Sequence, residues 1–186
     1  MNISTIIDAP AGDDPGRAAL IINGRTITYG ELADAVERCA AGLAAGGVAG
    51  RRVAVVDVGS LLSIATMLGA PRIGAAAALM NPALTPSEIR GLLANADCAD
   101  VGVAGEAYAE RLLDAGAAQA LTAGHLLNTG PVDAPPTVGD VDDRDGLVLF
   151  TSGTTGLPKP VGITQGQLSA RIMGVTTAFQ AVWHPR

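Results

Sequence analysis

The stretch Leu147-Val148-Leu149-Phe150-Thr151-Ser152-Gly153-Thr154-Thr155-Gly156-Leu157-Pro158-Lys159 decides how this chain is read. Its first four residues are apolar and strand-like; the rest is a loop rich in hydroxyls and glycine that ends in a lysine. Four hydroxyl side chains and two glycines fall between Thr151 and Gly156. Glycines let successive backbone N–H groups turn toward an anion, hydroxyls add donors, and a lysine brings a mobile positive charge. Such a loop suits the β and γ phosphates of ATP. It is not a Walker A loop, because the lysine comes three residues after Gly156 and Pro160 follows it. The G-x-G-x-x-G dinucleotide fingerprint is also missing. On composition alone, a surface Ser/Thr/Gly turn with a solvated lysine is nearly as good a reading.

Working outward, short apolar runs alternate with helical patterns. Ile21–Ile22 and Thr26–Thr28 flank Asn23-Gly24, a favoured hairpin turn. Leu32, Ala33, Val36, Ala40 and Leu43 recur at helical spacing and predict a helix over Tyr29–Ala45, with Thr28 or Gly30 as its cap. Gly46, Gly47 and Gly50 end it. Arg52–Val58 is nearly continuous in β-branched residues, as expected of a parallel strand covered on both faces. Ser60 caps a helix from Leu61 to about Gly69, and Ala75–Met80 forms the next strand, closed by Asn81-Pro82.

Thr85-Pro86-Ser87-Glu88 reads as a capping box with proline at the first helical position, and that helix runs to about Asn95. A strand over Asp100–Ala104, a helix over Glu106–Ala115 and a short strand over Gln119–Leu121 follow. Residues 130–146, with Pro131, Pro135 and Pro136, read as a surface connection. Beyond the loop at 151–160, helical spacing returns over Thr164–Ala178. The expected fold class is α/β, with layered, mostly parallel sheets flanked by helices, over residues 1–186.

Composition removes several function classes. Hydrophobic residues make up 48% and charged residues 16%, which marks a globular chain; aromatics at 3% imply a core of small aliphatic side chains. A net charge of −6 and the lack of a basic stripe argue against DNA or RNA as partner. Pro71 and Arg72 break the apolar run from Ser60 to Met80, so no membrane span is expected. The first residues lack a basic region followed by a long apolar one, and the chain reads as cytoplasmic. Cys39 and Cys98 have no metal-ligand spacing and read as buried, reduced thiols.

Phe150 to Lys159 closely resembles the signature loop of the adenylate-forming superfamily, which includes acyl-CoA synthetases, non-ribosomal peptide adenylation domains and luciferases. Thr28-Tyr29-Gly30-Glu31-Leu32 is similar to an early signature of that family, and Gly69–Pro82 to its small-residue segment ending in Asn-Pro or Asp-Pro. Asp145 stands where the family often has an acidic residue. The order and spacing agree, from about Thr28 onward, with the first part of the family's large N-terminal domain. The resemblance implies ATP, Mg²⁺ and coenzyme A as cofactor and co-substrates, and a small carboxylic acid activated as acyl-adenylate before transfer to a thiol. It implies that Thr151, Ser152, Gly153, Thr154, Thr155, Gly156 and Lys159 hold the nucleotide phosphates. Gln165 stands where the family commonly has a histidine, at a position expected to be substrate-side or gating. Pro160 replaces the usual glycine after the lysine.

The family's adenine, ribose and metal contacts and its late catalytic lysine all lie downstream of these residues. The chain is therefore expected to hold no complete catalytic set and no metal ligands, and to need the C-terminal part of the same enzyme as partner; self-association is left open. Two other readings stay open: an adenylation domain loading a carrier-protein thiol, and a non-catalytic nucleotide-binding or regulatory module from a truncated or split gene. Among the remaining residues, His125 and His184 read as surface or helix-end histidines. Asp142, Asp143 and Asp145 read as a solvated acidic run, Asp57 as a cap or turn residue, and Arg51 and Arg52 as a solvent-facing pair.

Overall fold

The computed structural model describes residues 2–128, 133, 135, 137–139, 141–151 and 158–182, with side chains to 175. The first hairpin pairs β1 (Ala18–Ile22) with β2 (Arg25–Thr28) in antiparallel register. Its turn holds Asn23 at φ 50° and Gly24 at φ 78°, the left-handed geometry that makes Asn-Gly the favoured dipeptide there. Thr28 then caps helix α2 (Tyr29–Ala45), taking a bond from the Glu31 N–H while the Glu31 carboxylate accepts from the Thr28 N–H. Gly30 is not the cap.

A six-stranded sheet forms the body of the chain, in the order β6-β5-β3-β4-β7-β8. Its parallel members are β3 (Arg52–Val56), β4 (Ala76–Met80), β5 (Val101–Ala104), β6 (Gln119–Leu121) and β7 (Asp145–Thr151). The last strand, β8 (Lys159–Thr164), runs antiparallel to β7. Alternation along β3 shows why the run could be so apolar. Val53 and Val55 enter one core with Leu32, Val36 and Leu43 of α2, whereas Ala54 and Val56 enter a second core on the opposite face. Helix α3 (Leu61–Arg72) lies beside α2 on the first face. Helices α4 (Pro86–Asn95) and α5 (Ala109–Asp114) supply Ile89, Leu92 and Leu112 to the second. Both faces are covered, as a parallel sheet requires.

The small side chains have a packing consequence. Gly69 on α3 sits against the backbone of α2: a Cβ there would lie 2.9 Å from the Val36 carbonyl oxygen and 3.1 Å from both the Ala40 nitrogen and the Cys39 Cβ. The two helices approach along this line because nothing projects from it.

Several boundaries differ from expectation. Helix α3 runs on to Arg72, three residues past Gly69, and carries Pro71 in its last turn. Asn2 meets this helix end: its Nδ2 donates to the Pro71 carbonyl at 2.8 Å, which also accepts from the Gly74 N–H. Asn2 caps an N-terminal segment where no helix was expected, a 3-10 turn over Ile3–Ile7 followed by α1 (Asp8–Asp13). Arg72, buried at 8% exposure, pairs with Asp8 of this segment. The expected Glu106–Ala115 helix splits into a 3-10 turn at Glu106–Tyr108 and α5. A short helix, α6 (Ala123–Leu126), buries Leu126 beside α2. The 130–146 connection is not all surface: Val141 is buried, the Val138 N–H donates to the Arg72 carbonyl, and Asp145 and Gly146 already belong to β7.

Candidate active site

Parallel strands bring ligands to the loops beyond their carboxyl ends. Strand β7 is parallel to β4, so Thr151, the last residue of β7, stands on the same edge of the sheet as Met80, Ala104 and Val56. The glycine-rich loop leaves from this edge. Ser152, Gly153, Thr154, Thr155, Gly156 and Leu157 lie outside the described residues, but both of the loop's ends are fixed. Thr151 pairs with Lys159 across the β7–β8 hairpin, and its hydroxyl donates to the Lys159 carbonyl at 3.4 Å. Asn95, the last residue of α4, donates from Nδ2 to the Pro158 carbonyl at 3.0 Å. Nothing in the sequence marked Asn95 for this, since it lies 63 residues away and its spacing says only that a helix ends.

The loop is shorter than the expected 151–160. Thr151 closes one strand while Lys159 and Pro160 open another, and β8 was missed altogether. Lys-Pro-Val-Gly-Ile-Thr carries a proline and a glycine, which depress strand propensity. Pro160 is tolerated because β8 is the last strand of the sheet among the described residues, where a missing N–H is harmless. Lys159 is exposed and anchored by a strand pair, so its ammonium is carried at the hairpin mouth beside the loop.

Gln165 is not brought to this edge. It follows the far end of β8 and opens helix α7 (Gln165–Val182), six residues of strand from Lys159, or about 20 Å at ~3.3 Å per residue. Its side chain is fully buried, and Oε1 accepts from the Ile3 N–H at 3.1 Å. Thr164 caps the helix in its place, exchanging bonds with Gln167. A substrate-side or gating contact at Gln165 finds no support in this placement, which ties α7 to the N-terminal segment.

Arg52 is not simply solvent-facing. Its Nη2 donates to Asp145 Oδ2 at 2.7 Å and its Nη1 to the Ala96 carbonyl at 3.1 Å, a brace across β4 between residues 93 apart in sequence. Asp145 is thereby removed from the solvated acidic run. Asp57 is a turn residue as expected, its carboxylate accepting from the Ser60 hydroxyl while Ser60 caps α3. His125 is tied through Nδ1 to Thr122 at the start of α6. His184 and Trp183 lie outside the described residues.

The thiols follow their burial. Cys39 is fully buried, and loss of hydration pushes its pKa up to about 12; Cys98 is pushed up to about 11 for the same reason. At pH 8 both lie far on the thiol side, so neither is a nucleophile. A thiol reagent at that pH is expected to label Cys39 only as fast as the chain opens, and at full speed in denaturant; Cys98, half-buried where a buried thiol was expected, is slowed by its raised pKa alone. Rapid native labelling of Cys39 would contradict its burial.

Residues 7–186 match the family model described as AMP-binding enzyme. The chain belongs to this family. It is 35% identical to the indoleacetate–CoA ligase of Aromatoleum aromaticum, over 91% of this chain and 36% of that protein. A solved fatty acyl CoA synthetase of Mycobacterium tuberculosis matches 88% of this chain and 34% of that one, with TM-score 0.75 and 27% identity. The structure of VinN matches 99% of this chain and 48% of its own, with TM-score 0.82 at 22% identity, a likeness of fold alone. The chain thus spans about a third of the length of the first two and about half of VinN. Among the described residues no helix is long and apolar enough to cross a membrane.

Proposed function

We propose that this chain supplies the phosphate-holding part of an ATP-dependent acid–thiol ligase. Such an enzyme joins a carboxylate to the α phosphorus of ATP, releasing pyrophosphate, and then passes the acyl group from AMP to coenzyme A. The observation that carries this is the hairpin formed by β7 and β8, which plants both ends of the Thr151–Lys159 loop on the carboxyl edge of the sheet. In this reading the hydroxyls of Thr151, Ser152, Thr154 and Thr155, and the backbone at Gly153 and Gly156, bond the β and γ phosphates. Lys159 offsets the charge that grows on the departing pyrophosphate. Catalysis by these residues is positioning and charge stabilisation, with no covalent step on the protein.

In this reading Mg²⁺ accompanies the nucleotide as the partner of its phosphates. Coenzyme A is preferred to a carrier-protein thiol because several relatives, the indoleacetate–CoA ligase among them, carry CoA ligase in their names. The acid itself is a small carboxylic acid.

The test is acid-dependent exchange of labelled pyrophosphate into ATP by the natural gene product that contains this chain, across aliphatic, aryl and arylacetic acids. Exchange with at least one acid, followed by thioester formation with coenzyme A, is expected. No exchange with any acid would overturn the ligase reading, and exchange without thioester would move it to a carrier-protein acceptor.

A further inference from the structure

At the edge of the sheet opposite the glycine-rich loop, strands β3, β4 and β7 begin side by side. There a cavity of about 500 Å³ opens between the strand starts and the turns that precede them. Three guanidinium groups, Arg51, Arg52 and Arg144, and two carboxylates, Asp97 and Asp145, line it. Arg52 and Asp145 neutralise each other through the 2.7 Å bond already described. Asp97 then stands against two arginines, and among the described residues neither Arg51 nor Arg144 has a side-chain hydrogen bond or ion pair. The lining carries one net positive charge in a chain whose total is −6.

Backbone geometry builds the wall. Gly74, at φ 70°, lies so close to Arg144 that a Cβ would sit 3.0 Å from Nη1. Any larger residue would push that guanidinium away and would also be strained. Gly50, at φ 72°, turns the chain immediately before Arg51. Two unpaired planar forks facing one cavity are the usual means of holding a phosphate or a similar oxyanion. The Arg52–Asp145 pair forms part of the same lining.

We propose that this pocket binds a phosphate group through Arg51 and Arg144, at a site separate from the nucleotide loop. The seven residues of β7 place it roughly 20 Å from Thr151 at ~3.3 Å per residue, too far to serve the same phosphates. The volume admits free phosphate or the phosphate end of a small metabolite.

The arginine Nε–H signals of the labelled chain report the site directly. Titration with inorganic phosphate, and separately with glycerol 3-phosphate, at constant ionic strength is expected to shift the Arg51 and Arg144 signals saturably. A stronger response to the ester would identify a metabolite site, and an equal one a free-phosphate site. R51Q/R144Q is expected to weaken binding at least tenfold, read from the shifts of the Gly50 and Gly74 amides in the same lining, while Lys159→Ala leaves the response of the Arg51 and Arg144 signals unchanged. Both arginines are exposed, and the amide spectrum of the double variant checks its fold. Lack of a saturable shift, binding that survives R51Q/R144Q, or loss of the response in Lys159→Ala would each overturn the proposal.

Discussion

Gly69→Val is expected to lower the stability of the chain by about 3 kcal/mol or more, and its urea midpoint by more than about 1 M. The Cβ alone would lie 2.9 Å from a backbone carbonyl oxygen of α2 and 3.1 Å from a backbone nitrogen, neither of which can rotate aside. The two γ carbons of valine must fit as well, in a helix that already restricts them. The helices would have to separate, opening the core that holds Val36, Cys39 and Ala40, each fully buried. Gly174→Val is the control, because this helical glycine of α7 is exposed and nothing lies within 4 Å of a Cβ there. If both variants unfolded at the same urea concentration, the close approach of α2 and α3 would not be what holds this core.

Lys159→Ala is expected to cost ten- to a hundredfold in ATP affinity or in kcat/KM for ATP. That range corresponds to a hydrogen bond to a charged group, about 1.5–3 kcal/mol. The chain should remain folded, because an exposed strand residue away from the core usually changes stability by no more than ~0.5 kcal/mol. The dependence on the acid should be unaltered if the lysine touches only phosphate. Isothermal titration with ATP and initial rates at several ATP concentrations check both points. Equal ATP binding and equal rates in the two forms would remove Lys159 from the site.

The thick pattern of the fold was open to reading along the chain. Thr85 with Glu88 announces a helix start because a capping box needs only four consecutive residues, and it forms as expected; Thr28, one of two candidate caps, forms a second box with Glu31. The Asn23-Gly24 hairpin and the β-branched run in β3 are local in the same sense. The N-terminal segment escaped notice because its contacts are distant: Asn2 with Pro71, Asp8 with Arg72, Ile3 with Gln165. Strand β8 escaped because proline and glycine count against a strand, and only pairing with β7 makes one of Lys159–Thr164.

The order of residues from Phe150 to Lys159 was enough to point to the family, because a signature loop is a run of neighbours in sequence. Sequence alone likewise indicated most of the alternation of helix and strand between β1 and β7, since those elements follow from hydrophobic period and caps within a few residues. Tertiary structure decided which edge of the sheet each residue serves. It set Thr151 and Lys159 at one end of the β7–β8 hairpin and buried Gln165 beyond the other. It also joined Arg52 to Asp145 and gathered Arg51 and Arg144 around a cavity. Such placements depend on strand order, β6-β5-β3-β4-β7-β8, in which β7 lies beside β4 and not beside β6. That order is chosen by which faces can be buried together, a property of the whole chain that no short stretch of it contains.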